Sequence, residues 1–182
     1  VRLGIYRDYE TAYYPNHKRI ETPYQIISVT RDGAPEHYWT EAVGKDAMRL
    51  LTGAEQNLAA NYLPKGVAQY EIKWRSENHI RSFKEYDELY YNVTGNGWKF
   101  PINQVSARVT LPAGASIIQA ASYYGKMGST LRGVEVSRSD NTIEFRAARA
   151  LNSGEGLTIA VGFTPDVVEK QGFVAGPIDH FN

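Results

Sequence analysis

Alternation of apolar and polar residues recurs in four short segments, and it limits the fold of this chain more than any other feature. In the segment YEIKWR, Tyr70, Ile72 and Trp74 alternate with charged residues. A period of two places alternate side chains on opposite faces of a strand, so this pattern predicts a β-strand with one buried face. The other segments are VSARVTL (105–111), TIEFRA (142–147) and LTIAVGF (157–163). The chain is therefore predicted to be mainly antiparallel β.

Turn signals separate the predicted strands. They are the pairs Asp32-Gly33 and Asn96-Gly97 and the longer runs Ser139-Asp140-Asn141 and Ser153-Gly154-Glu155-Gly156. Gly, Asn and Asp accept the positive φ angles that tight hairpin turns require. Short strands joined by tight turns predict an antiparallel β-sandwich, immunoglobulin-like or similar.

One short helix is predicted after Thr52, which would be its N-cap. Glu55 lies three residues further on and completes a capping box. The helix should end before Pro64 and Gly66. With 182 residues and neither an internal repeat nor a linker, the chain is predicted to form a single β domain over residues 1–182.

The first sixty residues have a weaker pattern. The segment 24–43 predicts a hairpin about Asp32-Gly33, although its alternation is imperfect. The segment YRDYETAYYPNHKR (6–19) has no clean period and is predicted to be a loop or an irregular edge.

Composition excludes several classes of protein. Lys and Arg together number 20, as do Asp and Glu, so the chain lacks the positive field that attracts phosphate backbones. Nucleic acid is therefore not expected as a partner. The absence of cysteine excludes disulfides, a thiol nucleophile and thiolate metal ligands. No apolar run approaches the roughly 20 residues that cross a bilayer.

Familiar catalytic signatures are absent from the sequence. There is no histidine pair at metal-binding spacing, no phosphate-binding glycine loop and no nucleophile elbow. The four histidines stand singly, as solvated side chains usually do. We expect no catalytic residue, no metal site and no cofactor, and hence a protein that is not an enzyme.

Residues 83–102 combine aromatic and acidic side chains and supply the candidate ligand-binding residues. These are Tyr86, Asp87, Glu88, Tyr90, Tyr91 and Trp98. Exposed aromatic rings could stack on sugars, whereas buried ones would fill a core. Glu85 and Asp87 could serve as one half of a glycosidase pair, but like charges so close are more typical of turns or of water-exposed sites. The segment is expected to be a structural hairpin or strand-turn-strand.

The loop 125–133 (GKMGSTLRG) has two interpretations. Its backbone N-H groups together with Lys126 and Arg132 could bind an anion. Its glycines equally suit a long connection between strands, which we favour because no helix N-terminus follows.

The same residues carry a resemblance to a family. The central block resembles the signature of the predicted membrane proteins of domain-of-unknown-function family 2207, with further similarity at 4–9, 123–129 and 151–163. Matching positions are Tyr70, Ile72, Phe83, Asp87, Glu88, Leu89, Tyr90, Asn92, Val93, Gly95, Trp98, Pro101, Ile102, Leu111 and Pro112. Tyr91 stands where the family more often has Trp, and the chain lacks the cysteines that some members carry near 123–129.

The resemblance implies a location more than an activity. It implies an extracytoplasmic (periplasmic or extracellular) domain, anchored to the membrane through segments outside this chain, and a chain that lacks the family's first strands. It supplies no catalytic residue. Three functions stay open: a module that binds another envelope protein, a carbohydrate-binding module, and a glycan hydrolase with a carboxylate pair.

Overall fold

The computed structural model describes residues 4–53, 66–132 and 134–169. All strand pairings in these residues are antiparallel, which confirms the mainly β prediction. The predicted helix after Thr52 falls mostly on residues 54–65, outside the described residues. Thr52 itself ends a strand, and its hydroxyl accepts a hydrogen bond from the Ile5 N-H at 3.1 Å.

The chain divides into two compact units, Val1–Glu77 and Asn78–Asn182. A single domain and a single sandwich stay predictions. The strands of unit 1 are β1 (Tyr6–Glu10), β2 (Ala12–Tyr13), β3 (Ile20–Glu21), β4 (Tyr24–Arg31), β5 (Ala34–Pro35), β6 (Tyr38–Val43), β7 (Ala47–Thr52) and β8 (Tyr70–Ser76), with a 3-10 turn at Pro15–His17.

Unit 1 contains two three-stranded sheets, in the orders β1-β7-β6 and β5-β4-β8, and the small pair β2-β3. Tyr9 and Leu50 of the first sheet and Val29 of the second are the buried members of one apolar cluster. Ile72 and Trp74 of β8 pack against this cluster, as the alternation predicts. The two sheets therefore share one core.

The N-terminal segment corrects one prediction. Residues 6–19 were expected to be a loop or irregular edge, but β1 pairs with β7 over its full length. The hairpin about Asp32-Gly33 is confirmed, with φ angles of 52° and 82° at the two turn residues. Its second arm is only β5, because β6 pairs with β7 instead.

Unit 2 contains a four-stranded sheet in the order β12-β15-β10-β9 and a three-stranded sheet in the order β11-β14-β13. Phe145 of one sheet and Ile159 and Val161 of the other belong to one buried cluster, so the two sheets share a core. The strands are β9 (Ile80–Ser82), β10 (Asp87–Asn92), β11 (Ser106–Thr110), β12 (Ile117–Gly125), β13 (Val134–Ser139), β14 (Thr142–Ala147) and β15 (Gly156–Phe163).

Two predicted hairpin turns of unit 2 have a different role. Asn96-Gly97 follows β10, but β10 pairs with β9 and β15 and not with the next strand. Ser153 to Gly156 leads from β14 to β15, which belong to different sheets. The turn at Asp140 does join a hairpin, β13 to β14. In the described residues no helix is long and apolar enough to span a membrane.

Candidate functional site

Strand β10 carries most of the candidate residues on two opposite faces. Leu89 and Tyr91 pack against the apolar clusters of unit 2, so their face, which includes Asp87, points into the core. Glu88 and Tyr90 therefore lie on the other face of the sheet. The two neighbouring tyrosines are both half-buried, one on each face.

Asp87 is completely buried, although the sequence predicted a turn or water-exposed position for it. Its Oδ2 accepts a hydrogen bond from the backbone N-H of Asp166 at 3.1 Å, and Asp166 has a φ of 63°. Asp87 thus holds the turn that follows β15. Glu85 is exposed, so the two acids share neither an environment nor a cleft.

Glu88 is also completely buried, and its charge faces Arg81 on the adjacent strand. The two residues are opposite each other in the β9-β10 register, and Arg81 NH1 lies 4.0 Å from Glu88 Oε1. The Arg81 guanidinium also lies 5.0 Å from the centroid of the Tyr90 ring. Glu88 and Tyr90 thus both contact the same arginine of the adjacent strand.

Tyr86 and Tyr91 make contacts within unit 2 as well. The ring of Tyr86 stacks on Phe83 at 4.7 Å between centroids, and Phe83 N-H donates to the Tyr86 carbonyl. Tyr91 meets the edge of His79 at 5.4 Å. His79 is half-buried, which corrects the expectation of a solvated histidine, and burial lowers its pKa to about 4.

The signature run at the end of β10 and after it closes one end of the unit through hydrogen bonds. Thr94 Oγ1 accepts from Leu157 N-H at 2.9 Å, and the Thr94 carbonyl accepts from Trp98 Nε1 at 2.8 Å. Asn92 Oδ1 accepts from Gly95 N-H at 2.9 Å. Asn96 Nδ2 donates to the Gly125 carbonyl at 3.1 Å. This end of β10 is joined to both β15 and β12.

The close backbone approach at this junction requires glycine. A Cβ at Gly156 would lie 2.8 Å from the Gly95 carbonyl oxygen. A Cβ at Gly125, where φ is 126°, would lie 2.6 Å from Ser129 Oγ. The glycines and polar residues of the signature therefore have structural explanations in the geometry.

The loop that begins at Gly125 folds back on β12. Ser129 Oγ donates to the Tyr124 carbonyl at 2.9 Å, and Tyr124 N-H donates to the Leu131 carbonyl at 3.1 Å. These bonds suit a connection between strands. Lys126 and Arg132 are exposed, and anion binding by the loop stays a prediction.

Within residues 4–53, 66–132 and 134–169, no group of three or more His, Asp or Glu residues could hold a metal ion. The buried acids Asp87 and Glu88 lie on opposite faces of one strand, so they do not form a pair.

β13 is the most exposed of the described strands of unit 2, and it is not among the strands predicted from the sequence. Five of the six residues of β13 are exposed, and beside it a groove of about 590 Å³ crosses the outer face of its sheet. The charged residues that line the groove are Arg108, Glu135, Glu144 and Arg146. A signal was available in VEVSRS, where Val134 and Val136 alternate with polar residues, although two apolar residues give only a short apolar face.

The chain is similar to proteins of one described family. The model of the family described as "Predicted membrane protein (DUF2207) N-terminal domain" matches residues 1–163. The chain belongs to this family. The DUF2207 match includes the signature run of β10 and the loop after it, which the structure shows to be the junction of three strands.

One relative among the curated proteins is the "Uncharacterized protein YciQ" of Escherichia coli (strain K12). It is 30% identical over 150 residues, which is 80% of this chain and 23% of the relative. The chain thus spans about a quarter of the length of that protein. No solved structure matches the chain.

Proposed function

We propose that this chain is an interaction or assembly module on the extracytoplasmic face of a prokaryotic cell membrane, where strand β13 binds an extended segment of another envelope protein. In this proposal it is not an enzyme. The family description supports a membrane protein. The signature residues Asn92, Thr94, Asn96 and Trp98 make hydrogen bonds within unit 2. These bonds support a structural role for the signature and not a catalytic one.

The exposure of β13 carries the proposal. In the described part of the chain this strand pairs with β14 alone, over six residues without a bulge. Its side chains from Glu135 to Ser139 are exposed, including the apolar Val136 at 44%. A regular, exposed edge strand can pair with a strand of another chain through its backbone groups.

The turn geometry identifies the backbone groups that a partner strand would use. β13 and β14 are joined by the two-residue loop Asp140-Asn141, so the closing pair Ser139 and Thr142 is hydrogen-bonded. Hydrogen-bonded and non-hydrogen-bonded pairs alternate in an antiparallel ladder. The N-H and C=O groups of Val134, Val136 and Arg138 therefore point away from β14, toward the open edge.

The adjoining groove suits a polar partner segment. Along the outer face, Ser106, Arg146 and Glu135 form one cross-strand row. Arg108, Glu144 and Ser137 form the next, and Arg108 and Glu144 are ion-paired. Every second side chain of an added strand would lie beside these rows. The rows combine positive charges, negative charges and hydroxyl groups. They therefore favour an extended segment with mixed polar side chains.

Photo-crosslinking in the full-length protein tests the proposal. A photo-reactive residue in place of Ser137 should form an adduct in native membranes. Val136→Pro removes an amide on the open edge and leaves the β14 ladder intact, so it should abolish the adduct. Val136→Ala keeps the amide and should preserve it, whereas Val134→Pro is a second blocking variant. An adduct that survives both proline variants in folded protein, or no adduct at all, would overturn the proposal.

The absence of cysteine allows a direct test of location. Ser137→Cys in the full-length protein introduces a thiol at an exposed position, and the parent protein is the control for any thiols elsewhere. A membrane-impermeant maleimide should label the variant in cells whose outer barrier is opened and whose cytoplasmic membrane is intact. Labelling only after the cytoplasmic membrane is disrupted would contradict the extracytoplasmic placement.

A further inference from the structure

The outer face of the β1-β7-β6 sheet carries an ordered grid of six side chains. Register places Tyr6, Leu51 and Trp39 in one cross-strand row. Asp8, Arg49 and Glu41 form the adjacent row. The opposite face of the same sheet carries Leu50 and Tyr9 in the core, so the grid lies on the side that faces away from that core.

The grid has the same pattern on both outer strands. In β1 an aromatic residue, Tyr6, precedes the acid Asp8 by two positions, and in β6 Trp39 precedes Glu41 by two positions. Arg49 of the central strand lies between the two acids. We call the row of Tyr6, Leu51 and Trp39 the aromatic row, and the row of Asp8, Arg49 and Glu41 the ionic row. The two rows lie side by side across three strands.

The ionic row is held in place by strong contacts. Arg49 Nε and NH2 donate to the two carboxylate oxygens of Asp8 at 2.7 and 2.9 Å. The guanidinium lies 4.7 Å from the centroid of the Tyr6 ring. A bidentate pair stacked on an aromatic ring fixes the guanidinium with little remaining freedom. The donor direction of NH1 is thereby set toward the third strand.

Glu41 offers an acceptor beside that donor. Its Oε1 lies 3.9 Å from Arg49 NH1, beyond hydrogen-bond distance, and its side chain is 50% exposed. A hydroxyl group between the two atoms could accept from NH1 and donate to the carboxylate. A sugar hydroxyl, which is both donor and acceptor, satisfies this pair, whereas a second carboxylate would not.

The aromatic row supplies the apolar half of such a site. Tyr6, Leu51 and Trp39 are each half-buried. Neighbouring strands are about 4.8 Å apart, so the backbones of Tyr6 and Trp39 are roughly 10 Å apart across Leu51. Rings with a polar tip are suited to contact the C-H faces of a pyranose. β-1,4-linked glucose exposes such faces most evenly, because its ring hydroxyls and its linkages are all equatorial.

We propose that this face of unit 1 binds a neutral β-1,4-linked oligosaccharide, with Trp39 as the stacking residue and the Arg49-Glu41 pair as the hydroxyl-binding group. The ionic row has two carboxylates and one guanidinium, so it disfavours an anionic glycan. This site lies on another sheet than β13 and binds a sugar, whereas β13 binds a protein segment. Each proposal can therefore be tested independently of the other. The residues lie outside the aromatic set predicted from residues 83–102.

Calorimetric titration of the chain with cellotetraose tests the inference, and tetragalacturonate serves as the anionic comparison. Saturable cellotetraose binding is expected below about 10 mM, an affinity usual for a single shallow site. Trp39→Ala should weaken it by about tenfold or more, and Glu41→Gln by about fivefold to tenfold. The matched control Glu77→Gln, on an exposed acid outside the grid, should leave affinity unchanged.

If Trp39→Ala fails to fold, Trp39→Phe and the exposed Glu41→Gln decide the question. The inference is overturned by the absence of cellotetraose binding, by tighter binding of tetragalacturonate, or by cellotetraose affinity that is equal in the parent and Glu41→Gln. Loss of the β13 adduct does not bear on any of these outcomes.

Discussion

The Leu157 N-H donates to Thr94 Oγ1 at 2.9 Å across 63 residues of sequence. This bond joins the run after β10 to the start of β15, one of the two central strands of the larger sheet. Val93 N-H donates to the Leu157 carbonyl beside it at 2.8 Å. The two bonds extend the β10-β15 ladder beyond the last residue of β10, which is why the loop starts in a fixed position.

Replacement of Thr94 by Val should lower the free energy of unfolding by about 1–3 kcal/mol, because it leaves the Leu157 N-H without its acceptor. Thr94→Ser retains the hydroxyl and is the matched control, expected to lose much less. Urea denaturation with tryptophan fluorescence measures both variants. Equal stability of the Val and Ser variants would show that the hydroxyl does not contribute.

Gly156→Ala should destabilise unit 2 by about 1–3 kcal/mol, since its Cβ would lie 2.8 Å from the Gly95 carbonyl oxygen. In an open strand position, exchange of Gly for Ala usually stabilises by about 0.5–1 kcal/mol. The sign of the change therefore distinguishes a tight junction from an open one. An unchanged or raised urea midpoint would argue against the close approach.

Glu88→Gln should cost about 3 kcal/mol, because it leaves Arg81 opposite a neutral group in a buried site. Glu85→Gln is the control on an exposed acid three residues earlier, with an expected change within about 0.5 kcal/mol. Thermal unfolding of both variants at one pH makes the comparison. Similar melting temperatures for the two variants would contradict a buried ion pair at Glu88.

The free energy of unfolding should decrease as the pH is lowered, because of His79. Burial lowers its pKa in the folded chain to about 4, from 6.5. Between these values the unfolded chain binds a proton that the folded chain does not, so the free energy of unfolding decreases as pH falls from 6.5 to about 4. His79→Phe keeps an aromatic ring beside Tyr91 and removes the titration. As the pH is lowered from about 7 to about 4.5, the free energy of unfolding of the variant should increase relative to that of the parent. A difference between the two that stays constant over this range would refute the prediction.

Strand positions were predictable where one face is apolar and the other polar. Ile72 and Trp74 in β8 and Ile143 and Phe145 in β14 show this pattern, and both strands are present. β1 escaped prediction because neither of its faces is purely apolar. Its inner face carries Arg7, whose guanidinium lies 4.9 Å from the Tyr9 ring centroid.

Pairing over long distances was not predictable from local signals. Asn96-Gly97 has hairpin composition, but the partner of β10 is β15, more than sixty residues later. The burial of Asp87 and Glu88 was also missed, because charged residues are seldom buried without partners. Their partners are the Asp166 backbone and Arg81, which only the fold brings near.

Amide hydrogen exchange along β13 directly shows whether a strand of another protein pairs with its open edge. The full-length protein would be compared in native membranes and after purification away from its partners. The amides of Val134, Val136 and Arg138 should exchange quickly in purified protein and be protected in native membranes. In Val136→Pro, which has no amide at position 136, the protection of Val134 and Arg138 should be lost. Equal exchange at these amides in both preparations would contradict a partner strand at β13.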